Sequence, residues 1–300
     1  MGVVISITNQ KGGVGKTVTV STMASALTMQ GYKVLLINLD PQRNLDMVAG
    51  KGVAIRRDDT ESLSVLNVLK GECSLEDAVV HTDIGDLVRA SSMLSQWTGR
   101  HLLSRDEFRD MSKEAIYPLI EQRYKDGWGE RDAEVLSKEL QSIKGKYDYI
   151  LMDTNPSLTL LTLNSLYAAE YVLIPAFTEA ASRDAITELW DTIKGIKYFN
   201  PAKYLEIAGI LITKYTARSR NAKRYAGLYH GLAQKMGTIL FETKIRNSVS
   251  VSEYMAAQTD LLHYDKTGNT AQDYLAFVEE FKARIAEMEA VRNGSKNEIV

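Results

Sequence analysis

Five stretches of the chain are apolar at nearly every position: "VVISIT" (3–8), "KVLLINLD" (33–40), "YDYILMD" (147–153), "YVLIPA" (171–176) and "LEIAGILITK" (205–214). Unbroken Val-, Ile- and Leu-rich runs of this length predict strands covered on both faces. Between them the apolar positions spread to helical spacing. "KTVTVSTMASALTMQ" up to Gly31, "SLTLLTLNSLYAAE" (157–170), "ASRDAITELWDTIKGIKYF" (181–199) and "RNAKRYAGLYHGLAQKMG" (220–237) predict helices, with Gly31 and Gly237 as stops. "DLVRA" (86–90) predicts a short strand, "TILFETKI" (238–245) a weaker one, and 270–291 a charged helix. Strands alternating with helices mean an α/β fold, a doubly wound and mostly parallel sheet flanked by helices. Residues 98–146 break the rhythm with a polar, charged stretch. They predict two or three surface helices added to a single domain spanning 1–300.

Composition narrows the possibilities more than it adds to them. Hydrophobic residues make up 45% of the 300 positions, enough for a sizeable core. Thirty-six Lys and Arg against 38 Asp and Glu exclude a uniformly basic coat but not a local basic face. The single cysteine, Cys73, rules out an internal disulfide and a cysteine-ligated cluster, and points to a reducing compartment. No run is long and apolar enough to span a membrane, and the start does not read as a secretion signal.

The chemistry concentrates in "ISITNQKGGVGKTVTV" (5–20), which sits between the first strand and first helix. Gly12, Gly13 and Gly15 let the backbone curl round a polyphosphate, and the helix starting at Lys16 adds its positive end. Lys16 places a charge on the outer phosphates, and Thr17 is placed to hold Mg²⁺. Val14 and Val18 complete the loop, with Val18 binding through its backbone N–H. The usual spelling puts a Gly where this chain has Gln10, and a second lysine, Lys11, lies inside the loop. Two carboxylates end apolar strands. Asp153 is the candidate magnesium ligand, directly or through water. Asp40 is the candidate for orienting the attacking water, with a plain Asp-Pro turn as the bland reading.

Three segments in order, "KGGVGKT", "NLDPQRN" and "YDYILMDTNPSLTLLTLNSLYAAEYVLIPA", resemble the ParA/MinD family of deviant Walker ATPases, the ParA branch most closely. The resemblance runs from residue 3 to about 285 and implies the P-loop NTPase fold, ATP and Mg²⁺ as cofactors, and weak ATPase activity. It implies that Lys11 is the signature lysine, reaching across a homodimer to the partner's nucleotide. Facing phosphate clusters repel, so a cation from each side couples ATP occupancy to dimerisation. It also implies adenine contacts from Arg246 and Asn247. The chain departs from the family's usual residues at Asn38 (Asp), Val18 (Thr), Arg43 (Gly) and Asn155 (Pro), and lacks the Pro before Arg246-Asn247. Asn38 removes a negative charge expected near the γ-phosphate and so puts the hydrolysis rate in question.

The same resemblance implies partitioning of plasmid or chromosomal DNA. An ATP-bound dimer would bind DNA without sequence preference, and a ParB-like centromere-binding partner would stimulate hydrolysis. Lys214, Arg218, Arg220, Lys223 and Arg224 lie in "TKYTARSRNAKRY" with no acid between them, a candidate phosphate-contacting face. A cytoplasmic, nucleoid-associated location follows. The alternative is a MinD-like membrane-associated or protein-cargo-positioning ATPase. Against membrane attachment, the end "ARIAEMEAVRNGSKNEIV" has mixed charge and no aromatic residue.

Overall fold

The computed structural model describes residues 2–49, 62–97, 99, 132–248 and 250–297. The expected strands form as β1 (Val3–Ile7), β2 (Val34–Leu39), β5 (Tyr149–Thr154), β6 (Tyr171–Ala176) and β7 (Glu206–Ile212). All of them pair in parallel in one seven-stranded sheet of order β3-β4-β2-β5-β1-β6-β7. "DLVRA" contributes β4 (Gly85–Val88), parallel to β2. The edge strand β3 (Val79–Thr82) runs antiparallel to β4 and was not anticipated. Its residues "VVHT" are only half buried, so it carries no double-faced apolar signature.

A sheet covered on both faces needs two cores. One packs Ile37, Met152, Ile174 and Ile210 beneath the helices Leu160–Ala168 and Ala180–Phe199. The other packs Ile5, Leu36, Leu151 and Leu211 beneath the helices Lys16–Met29 and Asn269–Asn297. Phe277, Phe281 and Ile285 seat the last of these helices. Gln30 closes the first helix, and Gly31 follows it at φ 88°, the left-handed stop its position predicts.

"TILFETKI" does not form a regular strand. It follows β7 through isolated pairings: Ile210 N–H donates to Ile239 O and Phe241 N–H to Ile210 O, both within 3.0 Å. Thr238, Thr243 and Lys244 interrupt the apolar alternation, so the edge breaks into bridges. Of the segment 98–146, positions 98 and 100–131 lie outside the described residues; the remainder contributes a short helix, Val135–Leu140.

Candidate functional site

Parallel strands deliver their C-terminal ends to one side of the sheet, where ligands of open α/β folds bind. Ile7 and Asn38 both lie in register with Asp153, so the end of β1, the end of β2 and the β5 carboxylate meet at one place. The loop leaves β1 there. Asn9 Nδ2 donates to Pro175 O at 2.7 Å, and its Oδ1 accepts from Lys11 N–H at 2.9 Å, which shapes the loop entry. Gly13 and Gly15 stand at φ 74° and 83°, where a side chain would be strained. Gly12 has neither positive φ nor a crowding neighbour; its nearest atom would be Pro156 Cβ at 3.8 Å. The Thr213 hydroxyl donates to Val14 O at 2.9 Å and pins the loop from β7's end.

A cavity of about 740 Å³ opens here. Gly13, Gly15, Lys16, Thr17, Val18 and Asp40 line one part, Ile245, Arg246, Asn247 and Tyr274 another. Lys16 is buried, and its ammonium donates to Asn9 O at 3.1 Å and Lys11 O at 3.3 Å. Burial pushes its pKa down, against the pull of Asp153 and Asp40. Thr17 Oγ1 donates to Asp153 Oδ2 at 2.7 Å. Asp153 Oδ1 is buried without a hydrogen-bond partner among the described residues. Burial raises the Asp153 carboxyl to about 7; the Thr17 hydrogen bond opposes this and nearby Asp40 adds to it. An orphaned, fully buried carboxylate oxygen beside a hydroxyl is the donor set a divalent cation completes, so these residues fit Mg²⁺. Asp40 is buried at the cavity wall, its Oδ1 held by Gln42 N–H at 2.9 Å.

Lys11 faces elsewhere. Its ammonium lies 3.7 Å from Glu179, at a partly exposed position outside the cavity lining. Arg246 reaches the cavity wall but gives its guanidinium to Asp273, at 2.7 Å from both Nε and Nη2. Arg218, Arg220, Lys223 and Arg224 are exposed around the start of the helix Arg220–Lys235. Lys214 does not join them on that helix. It holds φ 49°, lines the cavity and sets its ammonium 4.6 Å from the Phe177 ring centre.

Asn38, the departure expected to cost a charge near the γ-phosphate, is fully buried and does not line the cavity. Its amide donates to Asp46 Oδ1 at 2.7 Å, and Arg43 Nε donates to Asp46 Oδ2 at 3.0 Å. Two departures from the family pattern thus meet on one buried acid. Sequence reasoning missed Asp46, Asn9, Thr213 and Glu179. No periodicity marks them; Asp46 alone left a trace, an acid in the otherwise apolar "NLDMVA" helix.

Comparison with known proteins bears on the family. The AAA domain family AAA_31 matches residues 2–204. The chromosome partitioning protein ParA of Caulobacter vibrioides is 31% identical over 292 residues, covering 96% of each chain. The cobyrinic acid a,c-diamide synthase of Mycobacterium smegmatis, solved with an ATP analogue and magnesium, is 25% identical at a TM-score of 0.69 over 93% of each chain. The cell division ATPase MinD of Pyrococcus furiosus shares the fold at a TM-score of 0.66 and 22% identity, over 94% of this chain and 99% of its own. On the extent of these matches and the loop they contain, the chain belongs to the ParA/MinD family of P-loop ATPases.

Proposed function

We propose that this chain is a partitioning ATPase whose ATP-bound dimer holds DNA and releases it on hydrolysis. In this reading one domain spans the whole chain. Gly13, Gly15, Lys16 and Val18 hold the phosphates of ATP, and Arg246 and Asn247 flank the base. Thr17 and Asp153 hold Mg²⁺, which supplies charge neutralisation between the phosphates. Asp40 orients the attacking water from the cavity wall. The observation that carries the reading is the division between the two loop lysines. Lys16 is buried at the cavity, whereas Lys11 lies outside it and accessible, paired only loosely with Glu179. A lysine so placed is available to a second protomer.

Arg218, Arg220, Lys223 and Arg224 are exposed, and none forms an ion pair among the described residues. Cations clustered around one helix start suit phosphate contacts of low sequence preference. A ParB-like partner would stimulate turnover, and a nucleoid location would follow from the DNA contact. Membrane attachment through the last helix is less well supported, since its aromatic residues Tyr274, Phe277 and Phe281 are all buried. No helix among the described residues is long and apolar enough to cross a membrane.

The test compares the protein with ATP, ADP and no nucleotide, by light scattering and by retention on non-specific DNA. ATP alone is expected to give a DNA-binding dimer. Lys11→Ala is expected to keep ATP affinity and lose the dimer. Arg218→Glu with Arg220→Glu is expected to keep the dimer and lose DNA retention. A monomer at saturating ATP would overturn the reading, and ATP-dependent sedimentation with anionic vesicles but not DNA would replace it with a membrane role.

A further inference from the structure

Asp46 is 1% exposed and lies outside the cavity lining, yet three groups converge on it. Asn38 Nδ2 donates to Oδ1 at 2.7 Å, Ala90 N–H to the same oxygen at 3.3 Å, and Arg43 Nε to Oδ2 at 3.0 Å. Arg43 makes its bond from φ 58°, a left-handed backbone that costs a non-glycine residue energy. Both Asp46 oxygens accept, so the Asn38 amide turns its NH₂ towards Asp46. Its carbonyl end then faces the other way and accepts from Asp40 N–H at 3.0 Å. Arg43 N–H closes the loop on Asp40 O at 2.9 Å. The contacts form a ring from Asp40 through Asn38, Asp46 and Arg43 back to Asp40. A ring of this kind fixes the backbone that carries the Asp40 carboxylate.

We propose that Asn38, Asp46 and Arg43 are positioning residues for Asp40, setting the rate of hydrolysis without contributing to nucleotide binding. The inference rests on the reading of Asp40 as the hydrolytic residue. A reacting group displaced by about 1 Å loses rate by orders of magnitude, whereas the phosphate loop, on a separate segment, keeps its contacts. The amide at position 38 and the acid at 46 are a matched pair. A carboxylate at both positions would set two like charges at hydrogen-bond distance and remove the donor.

The experiment measures kcat and KM for ATP, nucleotide affinity and thermal stability on the full chain. Asn38→Asp is expected to lower kcat about tenfold or more with KM changed less than about threefold. The double variant Asn38→Asp with Asp46→Asn returns a donor to the pair, with the new amide carbonyl free to turn to Arg43. It is expected to recover kcat to within about threefold of the parent. Arg43→Gly suits the left-handed backbone and deletes the side chain that bonds Asp46 while leaving the Asn38–Asp46 pair, so it stays informative if Asn38→Asp does not fold. It is expected to lower kcat several-fold at constant KM. Parental kcat in Arg43→Gly or Asn38→Asp, an equal loss in nucleotide affinity, or a double variant no better than the single one would overturn the inference. Asp40→Ala in the same assay separates the two layers. Parental turnover there removes Asp40 from catalysis and this ring with it, whereas lost turnover in Asp40→Ala beside parental Asn38 and Arg43 variants removes the ring alone.

Discussion

Two carboxylates at opposite ends of the same sheet, one mostly and one fully buried, have opposite fates. Glu170 sits just before β6, at the N-terminal side. It accepts from Lys144 at 2.8 Å, Arg292 at 2.8 Å and Val4 N–H at 3.2 Å. Burial would raise its pKa, but the hydrogen bonds from Lys144 and Arg292 overcome it and leave the carboxyl below its ordinary value. Asp153 ends β5 at the other side with one hydroxyl on Oδ2 and nothing on Oδ1 among the described residues. Burial and Asp40 push it up to about 7 against the Thr17 bond. The first acid is completed by its own chain and ties the C-terminal helix to the sheet. The second is left incomplete, which a fold tolerates where a ligand finishes the set.

The contrast breaks first at Lys16. If that end of the sheet is built for a ligand, removing its cation should cost binding and spare the fold. Lys16→Ala is expected to weaken ATP affinity by a few hundredfold, about 3–4 kcal/mol, as judged by calorimetric titration. Its melting temperature should hold or rise, because the variant also removes a desolvated ammonium. A variant that binds ATP normally would deny the site its phosphate role. Next comes Glu170→Gln, which leaves Lys144 and Arg292 facing a neutral acceptor. Both cations keep some solvent contact, 19% and 20% of their side chains, so the loss is expected near 2 kcal/mol rather than at the top of the buried-pair range. Denaturant unfolding measures it, and ATP turnover should be unchanged in the folded fraction. An unstable Lys16 variant beside an unperturbed Glu170 variant would invert the comparison.

How much of this was legible beforehand follows from what leaves a mark on a sequence. Doubly covered strands leave runs such as "VLLINL" and "YVLIPA", and every one of them formed. The loop was legible because its glycines and Lys16-Thr17 are consecutive, so local spacing carries the geometry. Asp40 and Asp153 were legible as acids closing apolar strands. The pairings that decide their behaviour were not. Asn38 and Asp46 stand eight positions apart with no shared period, and Ala90 arrives from the segment just after β4. Glu170 looked like an ordinary acid between a helix and a strand, yet its partners come from positions 144 and 292. β3 escaped because a half-covered edge strand needs no apolar run. "TILFETKI" was overread because β-branched content alone does not secure a ladder. Lys214 looked like part of a basic stretch, but the left-handed turn at its own position carries it to the cavity.

The pH dependence of stability separates the two acids most cleanly, because their signatures have opposite sign. An unfolded Asp releases its proton near pH 4, whereas Asp153 in the metal-free fold holds it to about 7. Between those values the native state binds more protons than the unfolded chain, so this group's contribution is intact below about pH 4 and is lost as pH rises towards 7. Glu170 has a depressed folded value, so its contribution is present above about pH 4.5 and is lost as pH falls through the folded pKa. Asp153→Asn, which cannot ionise, is therefore expected to be more stable than the parent at pH 7.5, with the gap closing by pH 4. Glu170→Gln should show the reverse, a deficit at neutral pH that shrinks on acidification. Melting curves of the three proteins from pH 4 to 8, without magnesium or nucleotide, test both at once. Magnesium with ATP should then raise the parent's melting temperature and leave Asp153→Asn nearly unmoved. An Asp153→Asn variant that tracks the parent at every pH would mean that Asp153 is as well satisfied as Glu170, and the distinction between a finished end and an unfinished end of the sheet would fail.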